Sequence, residues 1–208
     1  MITVWGRTSS TNVQKVLWTL EELSLPYERI DCGREYGGLD TLEFRTLNPN
    51  GRIPVMRDWE ADVILWESNT ICRYLCRTRE NFDLYPKDHA RAAEVEKWMD
   101  WQMGTLWPTI RPMFYEARDK HDIAVAKENH FADTVKAARR NIRILNEHLE
   151  TRAYLAGDTF TLADMPAQIS FNRWSFIGFD FEDAPHVQAW YEKLCERPAC
   201  SDIVKASF

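Results

Sequence analysis

The order of short β and helical patterns in residues 1–80 is the feature that most restricts the fold. Ile2 to Trp5 is a short β-like run, and apolar residues then recur at helical spacing from Asn12 to Leu23. Tyr27 to Cys32 has the pattern of a second strand. Two strands that are joined through a helix should be parallel, with a right-handed crossover.

The rest of this segment predicts an antiparallel pair. A short helix at Leu39 to Thr46 and a turn at Asn48 to Gly51 precede two β runs, Ile53 to Met56 and Val63 to Trp66. The short polar link between these runs suits a hairpin, and Ser68 then opens another helix. The predicted order is therefore β-α-β-α-β-β-α, which specifies a small mixed sheet covered by helices, as in the thioredoxin-like folds.

The second half of the chain is predicted to be entirely helical. Ala90 to about Ala117 is helix-forming, although Pro108 and Pro112 must kink or interrupt it. Three further helices are expected at Asp133–Leu149, Leu162–Arg173 and Pro185–Glu196. We therefore expect an α/β domain at residues 1–80, a linker at 81–88 and an all-α helical bundle at 89–208.

Charge and cysteine usage exclude several classes of function. The formal net charge of −6 is unfavourable for general binding to nucleic acids or anionic membranes. The N-terminus lacks a signal peptide pattern and no apolar run is long enough to span a bilayer, which favours a cytosolic protein. The five cysteines include no Cys-x-x-Cys motif, and neither they nor the histidines have metal-ligand spacing, so we expect no bound metal.

The turn Ser9-Ser10-Thr11-Asn12 lies between the first strand and the first helix. Ser, Thr and Asn are preferred N-cap residues, so helix capping alone would explain them. A helix N-terminus also presents free N–H groups and partial positive charge, and a hydroxyl adds a donor. A thiol in front of this turn would ionise more easily, so the turn could instead stabilise a thiolate.

Two other segments could bind an extended peptide. In Arg52-Ile53-Pro54, the proline is either an edge residue or a cis-proline that leaves the main chain of Ile53 free to pair. Glu67 and Ser68 could hold the ammonium and carboxylate groups of an amino acid, or could simply form a helix start with an N-cap serine.

Thr161-x-x-Asp164 is an acidic variant of the capping box. We interpret Thr161 and Asp164 as structural residues that bridge the first turn of a helix.

These motifs together resemble those of the cytosolic glutathione transferase superfamily, and the resemblance runs over nearly the whole chain. The family carries a catalytic residue after the first strand, Ile/Val-Pro before the third, Glu-Ser before the third helix and the Thr-x-x-Asp box. The sequence looks most like bacterial members related to the Ser-type (theta-like or nu-like) classes. The turn contains no Cys, which weakens deglutathionylation through a mixed disulfide with the enzyme. It contains no Tyr either.

The resemblance implies a glutathione-binding N-terminal domain, with glutathione as co-substrate. Ser10 would contact the sulfur, with Asn12 assisting and Ser9 as the rival. Ile53, beside Pro54, would bond the cysteinyl backbone, Glu67 and Ser68 the γ-glutamyl end, and Arg52 a carboxylate. The family is usually dimeric, so the resemblance also implies a homodimer.

A small electrophile would bind between the domains. A stripe of aromatic and basic residues could serve this purpose, with Arg7 as an alternative cation: Trp107, Arg111, Phe114, Tyr115 and Arg118. Burial in the core is the competing explanation of the aromatic residues, whereas Arg111 or Arg118 could recognise an acidic or halogenated electrophile. Rivals to transfer are glutathione-dependent reduction of disulfides or peroxides, and a non-catalytic binding protein.

Overall fold

A computed structural model of the chain describes residues 1–205 and contains two compact units, Met1–Phe82 and a second that begins at Asp83. The first unit contains a four-stranded sheet in the order β2-β1-β3-β4. The strands are β1 (Ile2–Trp5), β2 (Tyr27–Ile30), β3 (Val55–Asp58) and β4 (Val63–Trp66). The predicted parallel pairing of β1 with β2 and antiparallel pairing of β3 with β4 are confirmed.

Three α-helices complete the first unit: α1 (Thr11–Glu22), α2 (Leu42–Leu47) and α3 (Ser68–Thr78). The predicted thioredoxin-like order is confirmed, with an additional 3₁₀ turn at Arg34–Tyr36. β3 begins two residues later than the apolar pattern indicated and continues to Asp58. The pattern missed this end because Asp58 is charged, yet its carboxylate is buried and accepts hydrogen bonds from Glu60 N–H and Tyr74 Oη.

The core of the first unit lies on both faces of the sheet. On one face α1 packs against α3, and the buried side chains include Leu17, Trp18 and Leu75. On the other, Phe44 of α2 clusters with Val55 of β3. Burying large apolar side chains of this kind contributes about 1.5–3 kcal/mol each.

The second unit is helical, as predicted, and its first long helix adapts to the prolines. Helix α4 (His89–Trp101) runs into a π-helical segment, Gln102–Leu106, and then into α5 (Trp107–Lys120). Pro108 lies in the first turn of α5, where its missing N–H is tolerated, and Pro112 lies inside the helix. A π-helical segment changes the hydrogen-bonding register, and here it lies directly before Pro108, where the helical path continues into α5.

Two 3₁₀ turns, Ile123–Lys127 and Asn129–Phe131, come next. Up to residue 205, four more α-helices then follow: α6 (Ala132–Leu149), α7 (Asp164–Phe176), α8 (Pro185–Cys195) and α9 (Pro198–Ile203). The first three agree with the predicted helices to within a few residues, whereas α9 was not predicted. Their buried side chains include Ile142, Phe171, Trp174 and Trp190, with Met113 and Ala117 of α5. Within residues 1–205, none of the helices combines the length and apolar character needed to cross a membrane.

Candidate functional site

The strand register brings three of the predicted site segments to one edge of the sheet. Trp5, at the end of β1, pairs with Val55 of β3, and Val55 pairs in turn with Trp66, at the end of β4. The segments that adjoin these residues are the turn before α1, Ile53-Pro54, and Glu67-Ser68. Sequence-distant segments therefore meet because the sheet aligns their strand ends.

In the turn before α1, the hydroxyl of Ser10 does not cap the helix. Ser10 occupies the N-cap position with an extended backbone, but its side chain makes no capping hydrogen bond. Ser10 is partly exposed and Asn12 is exposed, whereas Ser9 lies in the turn just before them. Because the first N–H groups of a helix have no intrahelical partner, the turn presents donors and partial positive charge. No acidic residue in the first turn of α1 opposes this field.

Two contacts fix the position of this turn. The buried Gln14 in α1 donates from Nε2 to the carbonyl of Thr8 at 2.8 Å. Gly6 follows β1 at φ +153, and a Cβ there would lie 2.4 Å from Cγ2 of Val13. Only glycine permits this close approach between the strand end and α1, so the sequence of the turn determines where Ser10 lies.

The Ile53-Pro54 peptide bond is cis. In the described part of the chain, neither the N–H nor the carbonyl of Ile53 makes a hydrogen bond. The preceding turn is held by the buried Asn48, whose Nδ2 donates to the carbonyl of Arg52 at 2.8 Å. The side chain of Arg52 is exposed. This edge therefore offers an unpaired peptide group and a cation.

The start of α3 differs from the predicted N-cap serine. Glu67 is the N-cap residue, and the buried Ser68 is the first residue of the helix. Neither the N–H nor the hydroxyl of Ser68 has a hydrogen-bond partner among residues 1–205. Glu67 is exposed and adopts φ 72, ψ 105, a sparsely populated conformation for a residue other than glycine. Such a conformation costs about 1–3 kcal/mol and is found preferentially at functional sites.

The sequence did not predict that Lys15, between the helices α1 and α3, is buried. Lys15 of α1 is 3% exposed, and its Nζ lies 3.4 Å from Oδ1 of Asn69 in α3. Burial lowers the pKa of Lys15 to about 8, although Cys72 and Glu67 act in the opposite direction. The available signal was the position of Lys15 between buried residues of an amphipathic helix, but lysines on helices usually face solvent.

Arg7 lies close to this edge. Its guanidinium approaches Gly33, where an added Cβ would lie 2.9 Å from Nη1. The loop after β2 and the segment before β3 also enclose a shallow depression, lined in part by Gly33, Leu39, Arg45 and Gly51.

The three aromatic side chains of the predicted α5 stripe differ in exposure, and Trp107 is of intermediate exposure. Trp107, Phe114 and Tyr115 are in mutual ring contact, with centroids 6.1–6.4 Å apart. Phe114 is buried, so core packing explains it, whereas Tyr115 is 40% exposed.

The two arginines of the stripe are in different environments. Arg118 stacks on the ring of Tyr115 and donates to Asp119 from Nε at 2.7 Å. Arg111 is exposed, and no hydrogen bond or ion pair engages it within residues 1–205.

A third arginine beside this stripe escaped the sequence analysis. Arg173 of α7 is fully buried, its guanidinium carbon lies 5.8 Å from the centroid of the Phe114 ring, and burial lowers its pKa to about 10. Helix α7 is buried over most of its surface, so its sequence has no clear polar face that would identify such a residue.

Thr161 and Asp164 form a hydrogen-bonded unit at the start of α7. Oδ2 of Asp164 accepts from Thr161 N–H at 3.0 Å and from its hydroxyl at 3.3 Å. Oδ1 accepts from Leu155 N–H and from Trp190 Nε1, both at 2.9 Å. Burial raises the pKa of Asp164 to about 6, although these hydrogen bonds act in the opposite direction.

A metal centre has no candidate ligand set in the part of the chain that the structure describes: no group of three or more His, Cys, Asp or Glu side chains could hold an ion there.

Comparison with known proteins agrees with this architecture. The family model of the glutathione S-transferase N-terminal domain matches residues 9–78, and that of the C-terminal domain matches residues 98–198. The chain is 42% identical to "Glutathione S-transferase GstB" of Escherichia coli (strain K12), over 98% of both chains. It is 30% identical to "Disulfide-bond oxidoreductase YfcG" of the same organism, over 90% of this chain and 87% of that protein.

A solved structure supports the same assignment. The theta class glutathione S-transferase from Xanthomonas axonopodis pv. citri, crystallised with glutathione bound, superposes with a TM-score of 0.88. It shares 33% sequence identity, and the match covers 99% of this chain and 98% of that one. Matches of this identity and coverage show that the chain belongs to the glutathione S-transferase family.

Proposed function

We propose that the chain is a glutathione transferase in which the turn Ser9–Asn12 stabilises the glutathione thiolate for attack on a small electrophile. The observation that carries the proposal is the hydroxyl of Ser10, which stands at the N-terminus of α1 without capping it. A donor that the helix does not use is available to a ligand anion. The positive end of the helix acts in the same direction.

The energy required is modest. Lowering the pKa of a thiol by two units requires about 2.7 kcal/mol of preferential stabilisation of the thiolate. A hydrogen bond to a charged group contributes about 1.5–3 kcal/mol, and a helix terminus about 0.3–1 kcal/mol more. Ser10 together with α1 can therefore supply the shift, with Asn12 as a second donor and Ser9 as the rival for the sulfur contact.

The adjoining segments suit the rest of the tripeptide. In our proposal the free peptide group of Ile53, beside Pro54, pairs with the cysteinyl backbone of glutathione. Ser68 at the start of α3 receives the γ-glutamyl carboxylate, and the exposed Glu67 receives its ammonium group. Arg52 is available for the other carboxylate. The support is that these polar groups lie at one sheet edge and that Ile53 and Ser68 have donors without partners in the described chain.

Single substitutions at the turn test the assignment. Loss of one hydrogen bond to the thiolate in Ser10→Ala should raise the pKa of the bound thiol by about 1–2 units. Ultraviolet absorbance of the thiolate, titrated against pH in the glutathione complex, measures this value. Ser9→Ala and Asn12→Ala are the matched variants. A thiol pKa that is unchanged in Ser10→Ala would remove Ser10 from the role, and an equal or larger shift in Ser9→Ala would transfer the role to Ser9.

For the electrophile, we propose that Arg111 recognises an acidic or halogenated substrate. It is the exposed cation of the α5 stripe, whereas Arg118 is engaged by Asp119 and Tyr115. Arg7 is the alternative. We also propose a cytoplasmic homodimer, as the family resemblance suggests; light scattering after size-exclusion chromatography would test the oligomeric state.

Glutathione-dependent disulfide reduction is the second candidate function. It uses the same thiolate, and the relative YfcG is named a disulfide-bond oxidoreductase. Turnover of an aryl halide compared with that of a small disulfide distinguishes the two activities. Failure to bind immobilised glutathione would contradict both and favour a non-catalytic protein.

A further inference from the structure

Lys15 of α1 and Asn69 of α3 form a buried polar contact that has no part in the chemistry proposed above. Nζ of Lys15 lies 3.4 Å from Oδ1 of Asn69, although the two residues are 54 positions apart in the chain. Both side chains are buried. Asn69 follows Ser68 in the first turn of α3, so the contact places an ammonium group beside that turn.

The main chain of Lys15 also contacts α3. Its carbonyl accepts a hydrogen bond from Thr19 Oγ1 in the same helix at 2.8 Å and from Cys72 Sγ in α3 at 3.5 Å. Lys15 is therefore joined to α3 through both its main chain and its side chain. The ammonium group has a defined position relative to the start of that helix, unlike that of a lysine on a solvent-facing surface.

This position is unfavourable for a cation. A buried ammonium group loses its hydration, and the first turn of a helix carries partial positive charge that repels it. Burial lowers the pKa of Lys15 to about 8 even though Cys72 and Glu67 act in the opposite direction. An apolar side chain of similar length would avoid both penalties, so packing of α1 against α3 does not explain a lysine here.

A carboxylate bound at Ser68 would offset both penalties. Ser68 is buried, and its N–H and hydroxyl have no hydrogen-bond partner among residues 1–205. These two donors are uncharged, whereas an anion that loses its hydration against buried surface is stable only near a compensating cation. Glu67, the preceding residue, has the wrong sign for this purpose. Lys15 supplies a positive charge at the same turn from the side of α1.

We propose that Lys15 is a positioning residue for the γ-glutamyl carboxylate of glutathione, which its ammonium group, held by Asn69, attracts to the donors of Ser68. The inference rests on the proposed binding of glutathione at the sheet edge and adds a specificity determinant to it. Ser68 donates the hydrogen bonds, and Lys15 supplies the charge. Because α1 begins at the Ser9–Asn12 turn, Lys15 also links the helix proposed to hold the sulfur to the helix proposed to hold the other end of the ligand.

The test compares three ligands that differ only at the γ-glutamyl end, each S-methylated so that ionisation of the sulfur has no effect. S-methylglutathione carries the carboxylate and the ammonium group. S-methyl-glutaryl-Cys-Gly carries only the carboxylate, and S-methyl-4-aminobutanoyl-Cys-Gly carries only the ammonium group. Calorimetry on the full chain near neutral pH measures the Kd of each. Lys15→Met should bind the two carboxylate ligands about tenfold more weakly and the third as the wild type does.

Three further variants separate charge from packing. Lys15→Gln, a second neutral variant, should lose the same two affinities as Lys15→Met, whereas Lys15→Arg keeps the cation and should retain them. Thr19→Val changes a buried side chain that contacts the carbonyl of Lys15 without changing any charge. It should alter the three Kd values by one common factor or not at all.

An equal loss of affinity for all three ligands in Lys15→Met would show that Lys15 is only structural and would overturn the proposal. Unchanged affinity for S-methylglutathione in both Lys15→Met and Lys15→Gln would overturn it as well. A wild type that binds none of the three ligands would overturn the glutathione site itself and this inference with it. The wild-type measurements therefore distinguish failure of the proposed function from failure of the role of Lys15.

Discussion

Replacing Asp164 by Ala should strongly destabilise the helical unit. The carboxylate accepts from two backbone N–H groups, those of Leu155 and Thr161, and from Nε1 of Trp190. The site is buried, so the variant would leave these three N–H donors without a partner and would also remove the acceptor of the Thr161 hydroxyl. Each unsatisfied buried donor costs about 1–3 kcal/mol, which gives a loss of about 6 kcal/mol.

Part of this loss is offset because the variant no longer buries a charge. The pKa of Asp164 rises from 3.8 to about 6 in the folded protein, which corresponds to about 3 kcal/mol against the ionised form near neutral pH. The expected net loss is therefore about 3 kcal/mol, or a fall in Tm of about 6–12 °C for a chain of this length.

The pH dependence provides a second readout. Between pH 3.8 and about 6 the folded protein binds more protons at Asp164 than the unfolded chain does. Wild-type stability therefore falls as pH rises through this window, and the contribution is greatest at low pH. The stability difference between wild type and Asp164→Ala should widen by about 1 kcal/mol when pH falls from near 7 to near 5.

Urea unfolding followed by tryptophan fluorescence, at both pH values, measures these differences. Asp158→Ala is the matched control, because Asp158 is exposed and makes no hydrogen bond within residues 1–205. A free energy of unfolding that is unchanged in Asp164→Ala, or equal losses in the two variants, would refute the reasoning.

Three further predictions concern charged residues. Lys15→Met should stabilise the protein by about 3 kcal/mol near pH 7, because it removes a buried cation whose pKa is depressed from 10.5 to about 8. This gain should shrink as pH rises from about 8 to 10.5, because Lys15 loses its proton in the folded wild type before it does in the unfolded chain. Urea unfolding measures the difference, with Lys136→Met at an exposed site as the control. A destabilised Lys15→Met would contradict the argument. Glu67→Gly should remove the strain of the positive φ and raise stability by about 1 kcal/mol, whereas Glu67→Gln should not. Both variants should bind glutathione about tenfold more weakly when binding is measured by calorimetry. Tight binding in both would exclude the contact between Glu67 and the ammonium group. Arg111→Ala should lower kcat/KM for an acidic electrophile about tenfold and leave that for a neutral one unchanged, and equal effects on the two would exclude charge recognition.

Most of the fold could be predicted because local patterns and packing agree. β1 and β4 have the predicted bounds, since their short apolar runs are delimited by turn residues. Helix α9 was missed because it is six residues long and buries only Cys200, too little to produce a periodic pattern. The sequence predicted a helical stretch from Ala90 to about Ala117 but left open whether its prolines kink or interrupt it, because it does not reveal the π-helical segment before Pro108.

The buried cations show a different limit of sequence reasoning. Lys15 and Arg173 lie within the buried stretches of their helices, and charged residues are almost never fully buried unless they are paired. Their positions depend on which partners the tertiary structure provides. Asn69 is one such partner for Lys15, but it lies on another helix 54 residues away along the chain. No local pattern in α1 or α3 could link the two.

The edge of the sheet where the three segments meet is also the place where local rules and observed structure disagree. Helix-capping preferences predict that the hydroxyl of Ser10 bonds to α1, and that Ser68 caps α3. Instead, the Ser10 hydroxyl does not cap, and Glu67 takes the N-cap position in an unfavourable conformation. Natural sequences break such rules mainly at functional sites, where a ligand supplies the missing partner. Since the departures cluster at one sheet edge, our proposal that one extended ligand binds there accounts for the unused donors of Ser10 and Ser68 together, whereas independent defects in stability would each need a separate cause.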